Sequence, residues 1–386
     1  MTPEDAAARL RLARAEGVGP VSYRRMMGRY ASAAAALDAL PGLAQAGGRR
    51  AAPFIPKPGD IAREIDRLTR LGARLLFVDT PAYPRLLGLL DDAPAVIAVQ
   101  GDPAILDCRA VALVGGRNAS ASGQRMAERL AADLAAAGLV VVSGMARGID
   151  AAAHRGALAA RRTIAVVAGG LDCPYPAEHA DLQRQIAEAG AVVAEAPLGT
   201  EPQARHFPRR NRIIAGLALG VVVVEAAPRS GSLITARLAQ EAGREIFAVP
   251  GSPLDPRARG ANDLLRQGAV LTEAAGDVLD NLPDHPMREG IGRSPLFARG
   301  LPPGFSAASQ ALELPPPTAS GAAEGPAVRR EVVELLDSSP TPVDDLVRRC
   351  QFSAAAVLAA LLELELAGRV ETLPGNRVAL LAAPTV

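Results

Sequence analysis

Lysine is almost missing from this chain. Lys57 is the only one, although Lys and Arg together number 42. Nearly every positive charge is therefore a guanidinium, which can grip a phosphate through two parallel N–H groups or stack on a base. GC-rich coding, to which the alanine load points, produces the same bias, so it decides nothing alone. An excess of either charge is missing as well. The 41 Asp and Glu leave a net charge of +1 over 386 residues, which excludes a uniformly basic nucleic-acid binder and requires any anion site to be local. Cysteine is scarce: Cys108, Cys173 and Cys350 lie far apart with no metal-ligand spacing, and an odd, scattered set points to a reducing compartment. No apolar run reaches membrane-spanning length. Residues 1–10, which carry Glu4 and Asp5, lack the apolar stretch of an export signal. A cytoplasmic protein with no membrane partner is expected, and the sequon Asn118-Ala119-Ser120 then has no meaning. The P-loop is absent too, as is the Gly-x-Gly-x-x-Gly fingerprint of dinucleotide sites.

What is present suffices for two or three domains, with an apolar share of 49%. Residues 1–60 read as a small helical domain. Its Gly17-Val18-Gly19-Pro20 turn between two helices matches a helix-hairpin-helix, which either presents N–H groups to a phosphate or simply packs. Residues 61–282 read as a lead-in lobe followed by an α/β domain. From Ala110 onward, short runs such as Val111–Val114, Leu139–Val142, Thr163–Val167, Ala191–Ala194, Val221–Val224 and Glu245–Val249 alternate with helical stretches. That pattern predicts a doubly wound, Rossmann-like parallel sheet buried on both faces. Residues 283–326, rich in Pro, Gly, Ser and Ala, read as a flexible linker. Residues 327–386 read as three helices and a hairpin, a winged-helix-like domain. Its third helix carries Glu363 and Glu365 and no basic residue after Ser353, which favours a protein contact or packing over groove reading.

Open α/β sheets bind ligands outside the carboxyl ends of their strands. The first such end here is Gly115-Gly116-Arg117, with Arg117 where a phosphate would meet a helix N-terminus. The second is Ser143-Gly144-Met145-Ala146-Arg147-Gly148-Ile149-Asp150, with His154 one turn on. Asp150 either caps the next helix and bonds locally to His154, or the two form a catalytic pair. The third end supplies Gly169-Gly170 and then Tyr175; the fourth ends in Glu195; the fifth gives Glu225 and Ser230-Gly231-Ser232. The Ser/Gly turn is an anion cradle or a plain cap. Between the fourth and fifth, Phe207-Pro208-Arg209-Arg210-Asn211-Arg212 sets an aromatic and three guanidiniums ahead of an apolar helix beginning near Arg212. Cations beside an exposed aromatic suit a phosphate backbone and a stacked base. A solvated loop with Phe207 in the core is the alternative. No nucleophile–base pair and no metal cluster stands out, which favours binding over catalysis, although a nucleotide hydrolase using Glu195 or Glu225 stays open.

The second-strand turn, the Phe207-to-Arg212 block, Glu225 with Ser230-Gly231-Ser232-Leu233-Ile234-Thr235-Ala236, Val249-Pro250-Gly251 and the lead-in Tyr83-Pro84 to Gly101-Asp102 together resemble the DNA-processing protein A (DprA) family over residues 80–280. The flanking helical and winged-helix domains fit it more loosely. The resemblance implies a homodimeric, non-enzymatic protein, without metal or cofactor. It would bind single-stranded DNA, protect incoming strands in natural transformation and load the recombinase RecA. The strand-binding residues it implies, joined with those read above, are Arg117, Gly144, Arg147, Gly148, Gly170, Phe207, Arg209, Arg210, Asn211, Arg212, Ser230, Gly231 and Ser232. Two departures stand out. Gly116 replaces a common small hydroxyl residue, and the third winged-domain helix lacks basic charge. Two rivals remain. A nucleotide phosphoribohydrolase would need a Pro-Gly-Gly-x-Gly-Thr loop followed by Glu, which is missing. A winged-helix regulator with a ligand-binding α/β domain would bind duplex DNA in a sequence-specific manner.

Overall fold

Valine and alanine build the central sheet. The strands β3 (Ala110–Val114), β4 (Val140–Ser143), β5 (Thr163–Val167), β6 (Ala191–Ala194) and β7 (Gly220–Val223) are buried at every position. β-branched side chains suit a pleated surface, and a parallel sheet must be apolar on both faces because its crossover helices cover both. The computed structural model describes residues 1–283, 325–337, 339–373 and 375–381, so the stretch read as a linker lies almost wholly outside the described residues.

The chain forms two compact units. One holds α1 (Pro3–Ala13), α2 (Pro20–Arg29), α3 (Ala33–Ala46), most of α4 (Pro58–Arg70) and the C-terminal elements. The other runs through β1 (Ala73–Phe77), α5 (Arg85–Gly88), β2 (Val96–Gly101), β3, α6 (Ala121–Ala136), β4, α7 (Ile149–Leu158), β5, α8 (Ala180–Ala189), β6, α9 (His206–Leu217), β7, α10 (Gly231–Glu241), β8 (Glu245–Ala248), α11 (Arg259–Arg266), β9 (Val270–Leu271) and α12 (Ala275–Asn281). These strands form one nine-stranded sheet in the order β1-β2-β6-β5-β4-β3-β7-β8-β9. From β3 the chain winds outward through β4 and β5 to β6, returns to β7 on the other side of β3, and winds out again. The carboxyl ends of β3 and β7 therefore flank a topological switch point, where such sheets open a crevice. The lead-in stretch joins this sheet, with β2 antiparallel to β6 from Ala98↔Ala194 to Gly101↔Ala191. The two-residue β9 was not legible in the sequence.

Two boundaries differ from the sequence reading with consequences for the site. Helix α9 begins at His206, so the Phe207-to-Arg212 block is its first two turns rather than a lead-in. Proline is tolerated in a first turn, because its missing N–H has no intrahelical partner there. Helix α7 begins at Ile149 with Gly148 as N-cap, so Asp150 lies inside the first turn and is not the cap.

The C-terminal part of the first unit comprises α13 (Gly325–Leu335), β10 (Thr341–Pro342), α14 (Val343–Arg349), α15 (Ala354–Leu366), β11 (Val370–Leu373) and β12 (Arg377–Leu380). The three strands pair in the order β10-β12-β11, completing a winged helix. Its third helix, α15, packs against α2, α3 and α13. Gly47, at the end of α3, lies so close to the Glu363 carbonyl that a Cβ would overlap it, and a Cβ there would also stand 2.8 Å from the Ala367 methyl. Glu365 reaches Arg25 of α2 at 3.8 Å, both side chains largely buried, and Glu363 pairs with Arg329 of α13. Both acidic residues of α15 are thus used inside the unit.

Candidate nucleic-acid interface

A crevice of about 510 Å³ opens at the switch point. Its floor is the turn after β3, Gly115 to Asn118; its walls are the first turns of α9, Glu225 after β7, and the Arg229-to-Ser232 turn that starts α10. Seven of the thirteen residues expected to bind a strand line it: Arg117, Phe207, Arg210, Asn211, Ser230, Gly231 and Ser232. Arg229, Arg257, Asn118 and Thr235 line it as well. Arg229 could have been found in the sequence, because it directly precedes the Ser/Gly turn.

At the rim an aromatic–cation stack is exposed. The Arg117 guanidinium lies 4.5 Å from the centroid of the Phe207 ring, within cation–π range. Tyr175 joins the stack, its ring centroid 5.5 Å from that of Phe207 and tilted by 56°; it is 48% exposed. Phe207 is therefore not core. It is half-buried, held by its position near the start of α9. Arg117 and Arg229 are exposed, and neither forms an ion pair among the described residues, although the Arg117 charge is felt by buried Asp150. Ser230 caps α10, its Oγ accepting from the Ser232 N–H at 3.3 Å and lying 2.7 Å from Ser232 Oγ. Two unpaired guanidiniums, an aromatic shelf and a helix N-terminus thus face one opening.

Two cations of the basic block, Arg210 and Arg212, face inward. Arg210 is 6% exposed. Its guanidinium donates to the carbonyl oxygens of Gly144 and Val166, at the ends of β4 and β5, and its Nε donates to Asn211 Oδ1 at 3.3 Å. Gly144 makes room for this contact: a Cβ there would lie 2.6 Å from Arg210 Nη1. Burial pulls the Arg210 pKa down to about 10, with Asp150 opposing the shift and Arg117 adding to it, so the group stays charged at neutral pH. Arg212, also buried, donates to Glu195 Oε1 at 2.6 Å, and exposed Arg209 reaches the same oxygen at 3.4 Å. Asn211 donates to the Gly231 carbonyl at 3.3 Å and ties α9 to α10. Arg147 is exposed but paired twice with Glu178, at 2.7 and 2.8 Å. Gly148, with φ +78°, tucks under the Gly116 and Arg117 carbonyls, and Gly170 packs on the Pro197 carbonyl; neither lines the crevice.

Asp150 and His154 do not form a pair. Asp150 is buried, accepts from the Ala146 N–H at 3.2 Å, and has its pKa raised by burial, with Arg210 working against that shift. His154 is fully buried, with Nδ1 2.7 Å from Thr163 Oγ1; that hydroxyl donates onward to the Val141 carbonyl, so Nδ1 is the donor. Burial, first, and then the charges of Arg210 and His179 push its pKa down to about 3. An unfolded histidine takes its proton near pH 6.5. The stability His154 contributes is therefore complete above that value and is lost as pH falls toward about 3, by up to ~1.4 kcal/mol per pH unit. Urea midpoints should fall steeply between roughly pH 6 and pH 4, and the His154→Gln chain should show a flatter profile. An unchanged slope would mean that His154 is not held neutral.

Glu225 closes one side of the crevice. Its carboxylate accepts from the Ser120 N–H at 2.8 Å and from the Ser120 hydroxyl, at the N-terminus of α6. With Glu195 on Arg209 and Arg212, both candidate hydrolase carboxylates are engaged in internal bonds. No group of His, Cys, Asp or Glu among the described residues could hold a metal, and no helix among them is long and apolar enough to cross a membrane.

The pattern of the family described as DNA recombination-mediator protein A matches residues 74–283, a DprA winged-helix pattern residues 315–376, and a DprA-like N-terminal helix-hairpin-helix pattern residues 3–66. The chain belongs to the DprA family. It is 38% identical over 315 residues to the protein Smf of Escherichia coli, covering 79% of this chain and 77% of that one. It is 41% identical over 233 residues to the DNA processing protein DprA of Bacillus subtilis, covering 60% of this chain and 77% of that protein. The crystal structure of DprA from Streptococcus pneumoniae superposes with a TM-score of 0.56 at 38% identity, covering 64% of this chain and 87% of that one. The expected family, the Rossmann-like sheet, the helical N-terminal domain and the winged helix all stand.

Proposed function

We propose that the crevice at the β3/β7 switch point binds single-stranded DNA, and that the protein acts as a recombination mediator without catalysis. It would work as a homodimer, shield incoming strands in natural transformation and pass them to a RecA-type recombinase. The observation that carries the reading is Arg117 stacked on Phe207, unpaired and exposed beside Arg229 and the α10 N-terminus. A strand needs a π-face for a base and guanidiniums for its phosphates, and this arrangement offers both within one opening. Duplex DNA keeps its bases stacked inside and gives Phe207 nothing to stack on, so single strands should bind more tightly. Phosphate contacts carry no base identity, so binding should be largely independent of sequence.

The salt dependence follows from the geometry. Arg210 and Arg212 are used internally, which leaves Arg117 and Arg229, with Arg147 able to exchange Glu178 for a phosphate. About three phosphates neutralised on a single strand give a log–log salt slope near −2. Anisotropy of a labelled strand at several salt concentrations checks this, and a slope steeper than about −4 would mean that other basic surfaces bind. The mediator role is tested by recombinase assembly on a strand coated with single-strand-binding protein, which should be faster with the chain present. No acceleration despite strand binding would remove that role.

A further inference from the structure

In a dinucleotide-binding sheet, the N-terminus of the helix after the first switch-point strand receives the pyrophosphate, because its free N–H groups and its dipole favour an anion. Here that helix is α6, and the place already holds an anion, the carboxylate of Glu225. One oxygen takes the Ser120 N–H at 2.8 Å, and the other takes the Ser120 hydroxyl, which itself accepts from the Gly123 N–H at 2.9 Å. The backbone is shaped to the same group. The Gly116 N–H donates to the Glu225 carbonyl at 2.7 Å, and a Cβ on Gly123 would lie 2.5 Å from the carboxyl carbon. The carboxylate also lines the crevice.

We infer that Glu225 is a specificity-determining residue, an internal anion that bars free nucleotides from the crevice and reserves it for the phosphodiesters of a strand. The inference rests on the reading of the crevice as a strand site. A nucleoside monophosphate ends in a phosphomonoester of nearly two negative charges at neutral pH. Its best seat in this fold would be the α6 N-terminus, where it meets a fixed like charge. A phosphodiester inside a strand carries a single charge and need not reach α6. Arg117, just before the α6 N-terminus, lines the crevice together with Arg229 and the α10 N-terminus, and neighbouring nucleotides hold each phosphate in place.

The test compares wild type, Glu225→Gln and Glu225→Ala, using thymidine 5′-monophosphate and a labelled oligothymidylate strand as probes. Glu225→Gln retains an acceptor for the Ser120 N–H and removes the charge; Glu225→Ala also opens the space. In competition against the strand, the monophosphate should be about tenfold more effective with Glu225→Gln than with wild type, and more so with Glu225→Ala, as expected for removal of one nearby like charge. The selectivity ratio of strand over monophosphate should fall correspondingly. Variants that bind the strand and still ignore the monophosphate would overturn the inference. So would a wild-type chain that takes the monophosphate as well as its variants do, or loss of strand binding in both variants, since Glu225 would then build the strand site rather than guard it. If the wild type itself fails to bind the strand, the strand reading falls, and direct titration with the monophosphate still decides whether the Glu225 charge guards α6.

Discussion

Arg210→Ala is expected to lose about 3–5 kcal/mol of unfolding free energy, the cost of breaking a buried charge pair from one side. Three things fail together. The carbonyls of Gly144 and Val166 lose their donor, Asp150 keeps its buried carboxyl without the cation that offsets its desolvation, and α9 loses its tie to the ends of β4 and β5. Arg210→Lys should recover only part, because a single ammonium cannot reproduce the planar fork. Replacing both members, Arg210→Met with Asp150→Asn, should cost less than Arg210→Ala alone, since it removes the uncompensated charge. Denaturant unfolding of the four chains measures this. A loss below about 1 kcal/mol for Arg210→Ala would show that the guanidinium is not a strut. Strand affinity should fall as well, because the same helix positions Phe207.

Arg117→Glu is expected to produce the largest loss of strand affinity of any single change. It removes one of two unpaired cations in the crevice, strips the cation from the Phe207 face and introduces repulsion toward every phosphate. Phe207→Ala should cost about 1–3 kcal/mol, or roughly 5- to 150-fold, through loss of a base stack. The two effects separate by salt. Arg117→Ala should make the log–log slope shallower by about 0.7, one phosphate contact on a single strand, while Phe207→Ala should leave the slope unchanged. Combining them should give less than the sum, because the two side chains touch. A salt slope that moves with Phe207→Ala, or an additive double change, would mean that the two act at separate places.

The sheet was legible because burial on both faces leaves an unmistakable pattern, runs of Val and Ala of strand length between helices. The crevice was legible for the same reason, since ligand sites lie at strand ends and those ends carry Gly, Ser and Arg. The direction of the arginines was not. Arg210 and Arg212 read as solvent-facing on residue type, because charged residues are rarely buried unless paired. Their partners, two strand-end carbonyls and Glu195, come from distant parts of the chain that only the fold brings together. Reading α9 from near Arg212 instead of His206 hid the helix phase that turns them inward. The absence of a side chain at Gly144 was the one local sign that something large packs there. Glu225 was visible as a strand-end acid, but its bond to Ser120 spans 105 positions. The acidic charge of the winged domain's third helix was visible in the sequence, whereas its use of Gly47 and Arg25 as packing partners required the structure.

The most direct test of the strand site is fluorescence anisotropy with one labelled single strand and its duplex, titrated with wild type, Arg117→Ala and Phe207→Ala across a salt series. Tighter binding of the single strand, a slope near −2 and a loss in both variants, with only Arg117→Ala flattening the slope, is the predicted result. Equal or tighter duplex binding, or strand binding indifferent to both substitutions, would contradict the account.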